Sequence, residues 1–318
     1  MSKISVEACG DARSPSSCSL PPAAAFALAS VGSICTLQPL ASRRPGRSLW
    51  RVEVHPHPTS ALVPPRTCRS TPTTPVYVKI FGAADGYTRE VKALKQAPAL
   101  SAPPLLGSND DGRCIIMSGI DGTELDDAPQ DQHAGRMAAA LNTIVGCIGL
   151  PGPWQPDPPM VLTELHWSIA EDLGKRTPQA VSGLHDCLRD PELVPCHGDI
   201  SSSNIIVDSR GHATLLDFEF YGPGNAIADL AAITLTPSLV VPFDTRFALF
   251  QHGIAFAARA GSSIDERRVA GSVALWTVQC VAWYRSLSLG DTRAEYLADC
   301  AYHLGEQALA ALHGKALI

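Results

Sequence analysis

A polar segment within the second half of the chain constrains the fold more than any other feature. It runs from Val194 to Phe220 and reads VPCHGDISSSNIIVDSRGHATLLDFEF. Turn-forming residues alternate with short apolar runs in this segment, which predicts a loop followed by a hairpin. The predicted strands are Ile205–Val207 and Thr214–Phe218, and the turn between them lies at Ser209–Gly211.

Three polar residues occupy fixed places on this hairpin. Asp199 lies in the loop, Asn204 follows five positions later, and Asp217 lies at the end of the second strand. A hairpin brings the residue entering its first strand close to the residue leaving its second, so we expect the three side chains to lie together. Phosphoryl transfer requires a carboxylate near the attacking hydroxyl and oxygen ligands for Mg²⁺. Asp and Asn cap turns more often than they catalyse, but their joint spacing favours the catalytic interpretation.

An earlier part of the chain predicts a small sheet with a lysine in it. Lys79 lies in the strand candidate VYVKIF, residues 76–81, and Glu90 follows in a helix that begins near Tyr87. Further strands are predicted at residues 49–54 and 113–117, the latter leading into a glycine-bearing connector at residues 118–122. Kinase folds use a strand Lys on the nucleotide phosphates, paired with a helix Glu. The order of these residues before a hinge therefore favours a nucleotide-binding lobe.

Beyond this connector the spacing of apolar residues is mostly helical, which gives an α+β fold class. We divide the chain into a poorly defined segment 1–40, a nucleotide-binding lobe 41–120 that ends in a hinge, and a catalytic and substrate-binding lobe 121–318. Because eleven of the 26 prolines lie in the first 75 residues, we expect little regular structure there. The predicted helices of the last lobe span residues 132–145, 162–173, 179–188, 245–260, 265–286 and 292–312.

The hairpin segment resembles the catalytic loop of the aminoglycoside phosphotransferase and choline kinase family. Members carry H-G-D-x-x-x-x-N and then a hydrophobic strand ending in D-F/W-E, and here residues 197–204 read HGDISSSN and residues 215–219 read LLDFE. The resemblance implies a bilobal protein-kinase-like fold, with a small antiparallel sheet lobe that contains one helix and a larger, mainly helical C-terminal lobe. It also implies an ATP- and Mg²⁺-dependent kinase that acts on the hydroxyl group of a small molecule.

The same resemblance assigns roles to individual residues. Asp199 would be the catalytic base, Asn204 and Asp217 would bind Mg²⁺, and Asp229 with His197 would support the catalytic loop. Lys79 and Glu90 would act at the nucleotide phosphates. The adenine would lie against the connector residues Met117, Ser118, Gly119 and Ile120.

Composition argues against several partners and settings. The net charge is −6 and the chain has no Lys/Arg run, so nucleic acid is not expected as a partner. The apolar stretch 269–283 is interrupted by polar residues and is too short for a membrane helix, which predicts a core helix instead. The ten cysteines form no C-x-x-C pair and are interpreted as small buried hydrophobes. With a poor signal-peptide pattern at the N-terminus, we expect a cytoplasmic protein without membrane association or an obligate protein partner.

Charge and motif departures leave some alternatives open. Residues 1–120 hold 13 Lys and Arg against 7 Asp and Glu, whereas residues 121–318 hold 12 against 24. The acidic second part favours a cationic acceptor such as an aminoglycoside or an amino alcohol, while a sugar or another natural-product hydroxyl stays open. The chain lacks a G-x-G-x-x-G loop, which keeps a binding-only pseudokinase open. A metal-dependent hydrolase using His197, Asp199, His212 and Asp217 is the less favoured alternative.

Overall fold

A computed structural model describes residues 20–40, 47–56, 74–96, 102–148, 162–189, 194–259, 264–287 and 291–314. The chain divides into two compact units. The first comprises Met1–Ala83 and Leu106–Ser118, and the second comprises Ala84–Leu105 and Gly119–Ile318.

The first unit is built on a five-stranded sheet with the order β1-β2-β3-β5-β4. Neighbouring strands in the series β1, β2, β3 and β5 pair antiparallel. Helix α1 packs on the sheet, and Leu28 of this helix joins the buried valines 52, 54, 76 and 78 in one apolar core. The bounds of these elements are α1 Pro22–Ala29, β1 Gly32–Leu40, β2 Ser48–Pro56, β3 Thr74–Ile80, β4 Leu105–Asn109 and β5 Cys114–Ser118.

Regular structure before residue 56 is denser than the proline content predicts. Pro22 opens α1, at a position where a missing N–H costs nothing because the first helical N–H groups have no intrahelical partner. Pro39 lies on β1, which is an edge strand of the sheet, and edge strands tolerate proline. The prolines therefore stand where they are compatible with a helix start and a sheet edge, which composition alone does not reveal.

The second unit is mainly helical. Two small antiparallel sheets, β6-β8-β9 and β10-β7, accompany its helices. Short 3₁₀ turns lie at Gln130–Gln132, Ser202–Asn204 and Phe218–Phe220. The other elements are α2 Ala84–Gln96, β6 Thr123–Glu124, α3 His133–Cys147, α4 Glu164–Gly174, α5 Pro178–Arg189, β7 Val194–Cys196, β8 Ile205–Val207, β9 Ala213–Leu215, β10 Gly222–Gly224, α6 Ala226–Thr234, α7 Phe243–Arg259, α8 Glu266–Leu287 and α9 Thr292–Gly314.

The six helices predicted beyond the connector are all present, with bounds within about two residues. The stretch 269–283 lies inside α8, whose residues from Val269 to Val278 are all buried, so the predicted core helix is confirmed. Helix α8 approaches α5 so closely that a Cβ on Gly183 would lie 2.3 Å from the carbonyl oxygen of Arg267. Among the described helices, none is both long and apolar enough to cross a membrane.

Two predictions differ from the structure, and one helix is not predicted. The strand expected at 214–218 ends at Leu215, because Asp217 takes a left-handed backbone conformation that no extended strand allows. Helix α6 was not predicted, since its apolar residues surround the helix and leave no polar face to signal a period. Cys35 is exposed, whereas the cysteines at 114, 147, 187 and 196 are buried as expected.

Helix α2 packs with the second unit, against the turn Phe218–Phe220. The sequence pattern predicts this helix as part of the first lobe. The domain limits at residues 40 and 120 stay predictions.

Candidate active site

The loop between β7 and β8 depends on a glycine next to Asp199. Gly198 has φ +79°, a backbone conformation that L side chains rarely adopt. A Cβ built on Gly198 would lie 2.8 Å from the carbonyl oxygen and 3.1 Å from the Cβ of Phe220. The loop backbone therefore lies directly against the turn that follows Asp217, and only glycine permits this approach.

Asp229, in the first turn of α6, accepts hydrogen bonds from two backbone N–H groups of the same loop. Its Oδ2 accepts the backbone N–H of His197 at 2.7 Å and that of Gly198 at 3.1 Å. Asp229 is only 5% exposed, and this burial raises the pKa of its carboxyl group to about 7. The two N–H donors lower this pKa, while the nearby charge of Asp199 raises it.

His197 connects the loop to the strand that precedes Asp217. It is fully buried, and its Nδ1 accepts the N–H of Asp199 at 3.3 Å. The Nε2 atom lies 2.8 Å from the carbonyl oxygen of Leu216, so these partners assign a neutral imidazole with its proton on Nε2, donated to Leu216. The ring also packs against Phe218, with 4.8 Å between the ring centroids.

Asn204, the residue just before β8, bonds to the same loop. Its Nδ2 donates to the backbone oxygen of Asp199 at 2.9 Å and to Oδ2 of the same residue at 3.3 Å. The N–H of Leu216 donates to the backbone oxygen of Asn204 at 2.8 Å. Direct hydrogen bonds therefore join Asn204 to Asp199 and to Leu216, the residue that precedes Asp217.

Asp217 carries the strained backbone of this site. Its φ of 63° and ψ of 64° are left-handed, which is uncommon for a residue other than glycine and costs about 1–3 kcal/mol. Such strain clusters at functional sites, where the surrounding structure holds the residue in place. Here the Leu216 contacts to His197 and Asn204 fix one side of Asp217, and the turn Phe218–Phe220 fixes the other. Glu90, buried in α2, belongs to the helix that packs on this turn.

Other predicted residues belong to the first unit or to the connector. Lys79 lies in β3 opposite Ile115 of β5, is 7% exposed, and has its Nζ 4.8 Å from the Phe81 ring centroid. Met117 and Ser118 are the last two residues of β5 and are half-buried. Gly119 and Ile120 follow them in the chain and belong to the second unit.

His212 does not join the site. Its side chain is 75% exposed on the hairpin turn, where Nδ1 lies 3.3 Å from Oδ2 of Asp208. Both ring nitrogens of His197 are engaged with the backbone, as described above. The four-residue metal set of a hydrolase is therefore not assembled.

The backbone partners of this site are not predicted from the sequence. Leu216 supplies a carbonyl and an N–H group, and Phe220 supplies the surface against which Gly198 lies. Side-chain motifs carry no signal for such contacts. The left-handed conformation of Asp217 was likewise not signalled.

Comparisons with solved structures define the class of fold. A thermostable mutant of the aminoglycoside phosphotransferase APH(4)-Ia, in a ternary complex with AMP-PNP and hygromycin B, is 16% identical, with 92% of this chain and 99% of that chain covered at a TM-score of 0.53. Macrolide 2'-phosphotransferase MphH from Brachybacterium faecium is 13% identical, with 88% and 96% covered and a TM-score of 0.51. The ethanolamine kinase of Plasmodium vivax is 13% identical, with 88% and 83% covered and a TM-score of 0.50. The predicted kinase-like α+β fold class is confirmed.

The family follows from the sequence. Residues 71–270 match the family model of the phosphotransferase enzyme family, APH, and the chain belongs to this family. No match was found among curated protein sequences. The predicted family and the predicted enzyme class, a phosphotransferase, are both confirmed.

Proposed function

We propose that the protein transfers the γ-phosphoryl group of ATP, with Mg²⁺, to a hydroxyl group of a small cationic molecule. The observation that carries the proposal is the hydrogen-bonded group of Asp199, Asn204 and Leu216–Asp217. It combines, on one loop and one strand end, the residue types that phosphoryl transfer needs.

Asp199 is the catalytic base in this proposal. A carboxylate in this position accepts the proton of the acceptor hydroxyl as that oxygen attacks phosphorus. The backbone on both sides of the loop is fixed, by Asp229 at residues 197 and 198 and by Asn204 at residue 199 itself. This preorganisation supports the role, because a reacting group must be held within a fraction of an ångström.

The donor set fits Mg²⁺. With Nδ2 of Asn204 engaged by Asp199, Oδ1 is the atom of this side chain that suits a hard cation, and the carboxylate of Asp217 is the second ligand. A set of one amide and one carboxylate leaves most of the coordination shell to phosphate oxygens and water, as for a metal that arrives with the nucleotide. Bound Mg²⁺ would offset the negative charge of the phosphates.

The remaining nucleotide contacts are assigned to Lys79, Glu90 and residues 117–120. Lys79 binds the α- and β-phosphates, and its burial in β3 favours a fixed rather than a solvated ammonium group. Glu90 is assigned the role of pairing with a phosphate-binding lysine, which kinase folds require of a helix glutamate. The backbone of Met117, Ser118, Gly119 and Ile120 pairs with the adenine.

A hydroxyl on a cationic molecule is the acceptor that the charge distribution supports. Residues 121–318 carry 24 Asp and Glu against 12 Lys and Arg, which attracts cations. Hygromycin B, bound in one structural neighbour, and ethanolamine, after which another neighbouring kinase is named, both belong to this chemical class. The setting of the reaction is the cytoplasm, where ATP and reduced thiols occur together.

The test is Mg²⁺-dependent release of ADP by the purified protein. ATP is supplied with aminoglycosides, a macrolide, choline, ethanolamine, amino acids or neutral sugars, one at a time. The proposal requires ADP release that depends on one amine-containing acceptor and yields a phosphorylated product by mass spectrometry. ATP binding without transfer to any acceptor would indicate a binding-only protein and refute the proposal.

A further inference from the structure

The segment that follows Gly122 is bonded along the whole length of the hairpin's first strand and into the loop before it. Strand β6 pairs with β8, with Thr123 opposite Val207 and Glu124 opposite Ile206. The next N–H, that of Leu125, donates to the carbonyl oxygens of Ile205 at 3.0 Å and Ser202 at 3.3 Å. The pairing therefore continues past the strand into the turn between Asp199 and Asn204.

One side-chain hydrogen bond extends this pairing. Ser202 Oγ donates to Oδ2 of Asp126 at 2.9 Å, and both residues are half-buried. Ser202 is thus held by its carbonyl oxygen and by its hydroxyl, through consecutive residues of the same segment. A bond from a hydroxyl to a charged acceptor is stronger than one between neutral groups.

The segment that bears Asp126 is itself anchored. Arg136 of α3 donates from Nη1 to Thr123 Oγ1 at 2.9 Å and to the carbonyl oxygen of Glu124 at 3.2 Å. Gly122 has φ +146°, and a Cβ there would lie 2.6 Å from the carbonyl oxygen of Val207, so β6 lies as close to β8 as the backbone allows. Leu125 is fully buried. Asp126 therefore projects from a braced strand end rather than from a loose loop.

Ser202 opens the 3₁₀ turn Ser202–Asn204, which determines where Asn204 stands. The N–H of Asn204 donates to the carbonyl oxygen of Ser201 at 3.1 Å across this turn. The amide of Asn204 in turn donates to Oδ2 of Asp199. Ser202 lies inside the turn that the Asn204–Ser201 hydrogen bond closes, so a displacement of Ser202 moves Asn204, whose side-chain amide bonds Oδ2 of Asp199.

We infer that Asp126 is a positioning residue for phosphoryl transfer, acting through Ser202 on the geometry of Asp199 and Asn204. The inference rests on the proposed function. It assigns Asp126 an effect on turnover and none on acceptor binding. A misplacement of about 1 Å can cost about a hundredfold in rate, so the loss expected on removing the contact lies between tenfold and about a hundredfold in kcat.

Five variants separate this role from its alternatives. Asp126→Ala and Ser202→Ala should lower kcat by similar factors with little change in KM, and the double variant should be no slower than either single variant. Asp126→Asn keeps an oxygen that accepts the Ser202 hydroxyl, so it should retain most of the turnover. Glu171→Ala, which removes an exposed carboxylate of α4, is the control.

Other outcomes would overturn the inference. If Asp126→Asn raises KM for a cationic acceptor while Ser202→Ala does not, Asp126 binds the acceptor directly. If Asp126→Ala lowers the melting temperature but leaves kcat per folded molecule unchanged, the contact serves stability alone.

Amide hydrogen exchange gives a readout that does not require an acceptor. In Asp126→Ala, amides of residues 200–204 should exchange at least about tenfold faster than in the parent protein, and in Asp126→Asn they should not. Unchanged exchange in Asp126→Ala refutes the inference even where transfer is observed. An absence of transfer by the parent protein refutes the proposed function and leaves the exchange result to decide the positioning role.

Discussion

The contact between Gly198 and Phe220 makes the most demanding prediction, because the chain supplies two matched glycines. Gly211 has φ +83°, close to the +79° of Gly198, but a Cβ on Gly211 meets nothing within 4 Å. Gly146, inside α3, also has open space around its Cβ position and lies in a helix. Alanine at 198 therefore adds backbone strain and a steric clash, alanine at 211 adds backbone strain alone, and alanine at 146 adds neither.

The expected magnitudes follow from these differences. A left-handed alanine costs about 1–2 kcal/mol, offset by about 0.4–1 kcal/mol from the reduced entropy of the unfolded chain. Gly211→Ala should thus destabilise by about 0–1.6 kcal/mol. Gly198→Ala adds an overpacking cost of about 1–3 kcal/mol, because its Cβ would lie 2.8 Å from the oxygen of Phe220. Gly146→Ala should stabilise by about 0.5–1 kcal/mol.

Urea unfolding of the three variants measures these free energies, and ADP release under saturating substrates measures the effect on turnover. We expect kcat to fall about a hundredfold in Gly198→Ala, because its N–H bond to Asp229 and the adjacent Asp199 must shift. Gly211→Ala should keep its turnover. If Gly198→Ala unfolds at the same urea concentration as Gly211→Ala, the close approach of the two loops is refuted.

Two further predictions concern buried charges. Burial raises the folded-state pKa of Asp229 to about 7 from a usual 3.8, so the folded protein binds this proton more tightly than the unfolded chain does. As the pH rises from about 4 to 7, the free energy of unfolding should therefore fall by up to about 1.4 kcal/mol per pH unit. Urea titrations at several pH values measure this slope, which Asp229→Asn should flatten. The buried guanidinium of Arg246 donates to four backbone carbonyl oxygens, those of Thr234, Thr236, Leu239 and Val241. Arg246→Met should therefore lower the free energy of unfolding by about 2–4 kcal/mol in the same assay, while Arg259→Met, at an exposed position, should lower it by under about 0.5 kcal/mol. Equal effects of the two variants would contradict a stabilising role for these hydrogen bonds.

Much of the site could be predicted because its residues are spaced along one hairpin. The strand Ile205–Val207 was predicted with its observed bounds, and the loop and strand end that it joins bring Asp199, Asn204 and Leu216 into contact. Short local separation makes such an inference robust, since the turn itself fixes the geometry.

What could not be predicted depends on backbone atoms and on distant packing. The acceptor for His197 is a carbonyl group, and carbonyl groups carry no sequence signal. The contact of Asp126 with Ser202 spans 76 positions between two residues that look like ordinary polar surface. In the helix at 226–234 the apolar residues surround the axis and the one carboxylate, Asp229, is itself buried, so no amphipathic period could reveal the helix.

The measurement that tests the central claim most directly compares turnover and nucleotide affinity in Asp199→Asn. Asparagine keeps the size of the side chain and removes its ability to take the hydroxyl proton. We predict that ADP release with the acceptor identified for the parent protein falls at least about a thousandfold, near the effect of a general base, whereas the Kd for ATP with Mg²⁺ stays within about threefold. Full turnover by Asp199→Asn would contradict the assignment of this loop as the site of phosphoryl transfer.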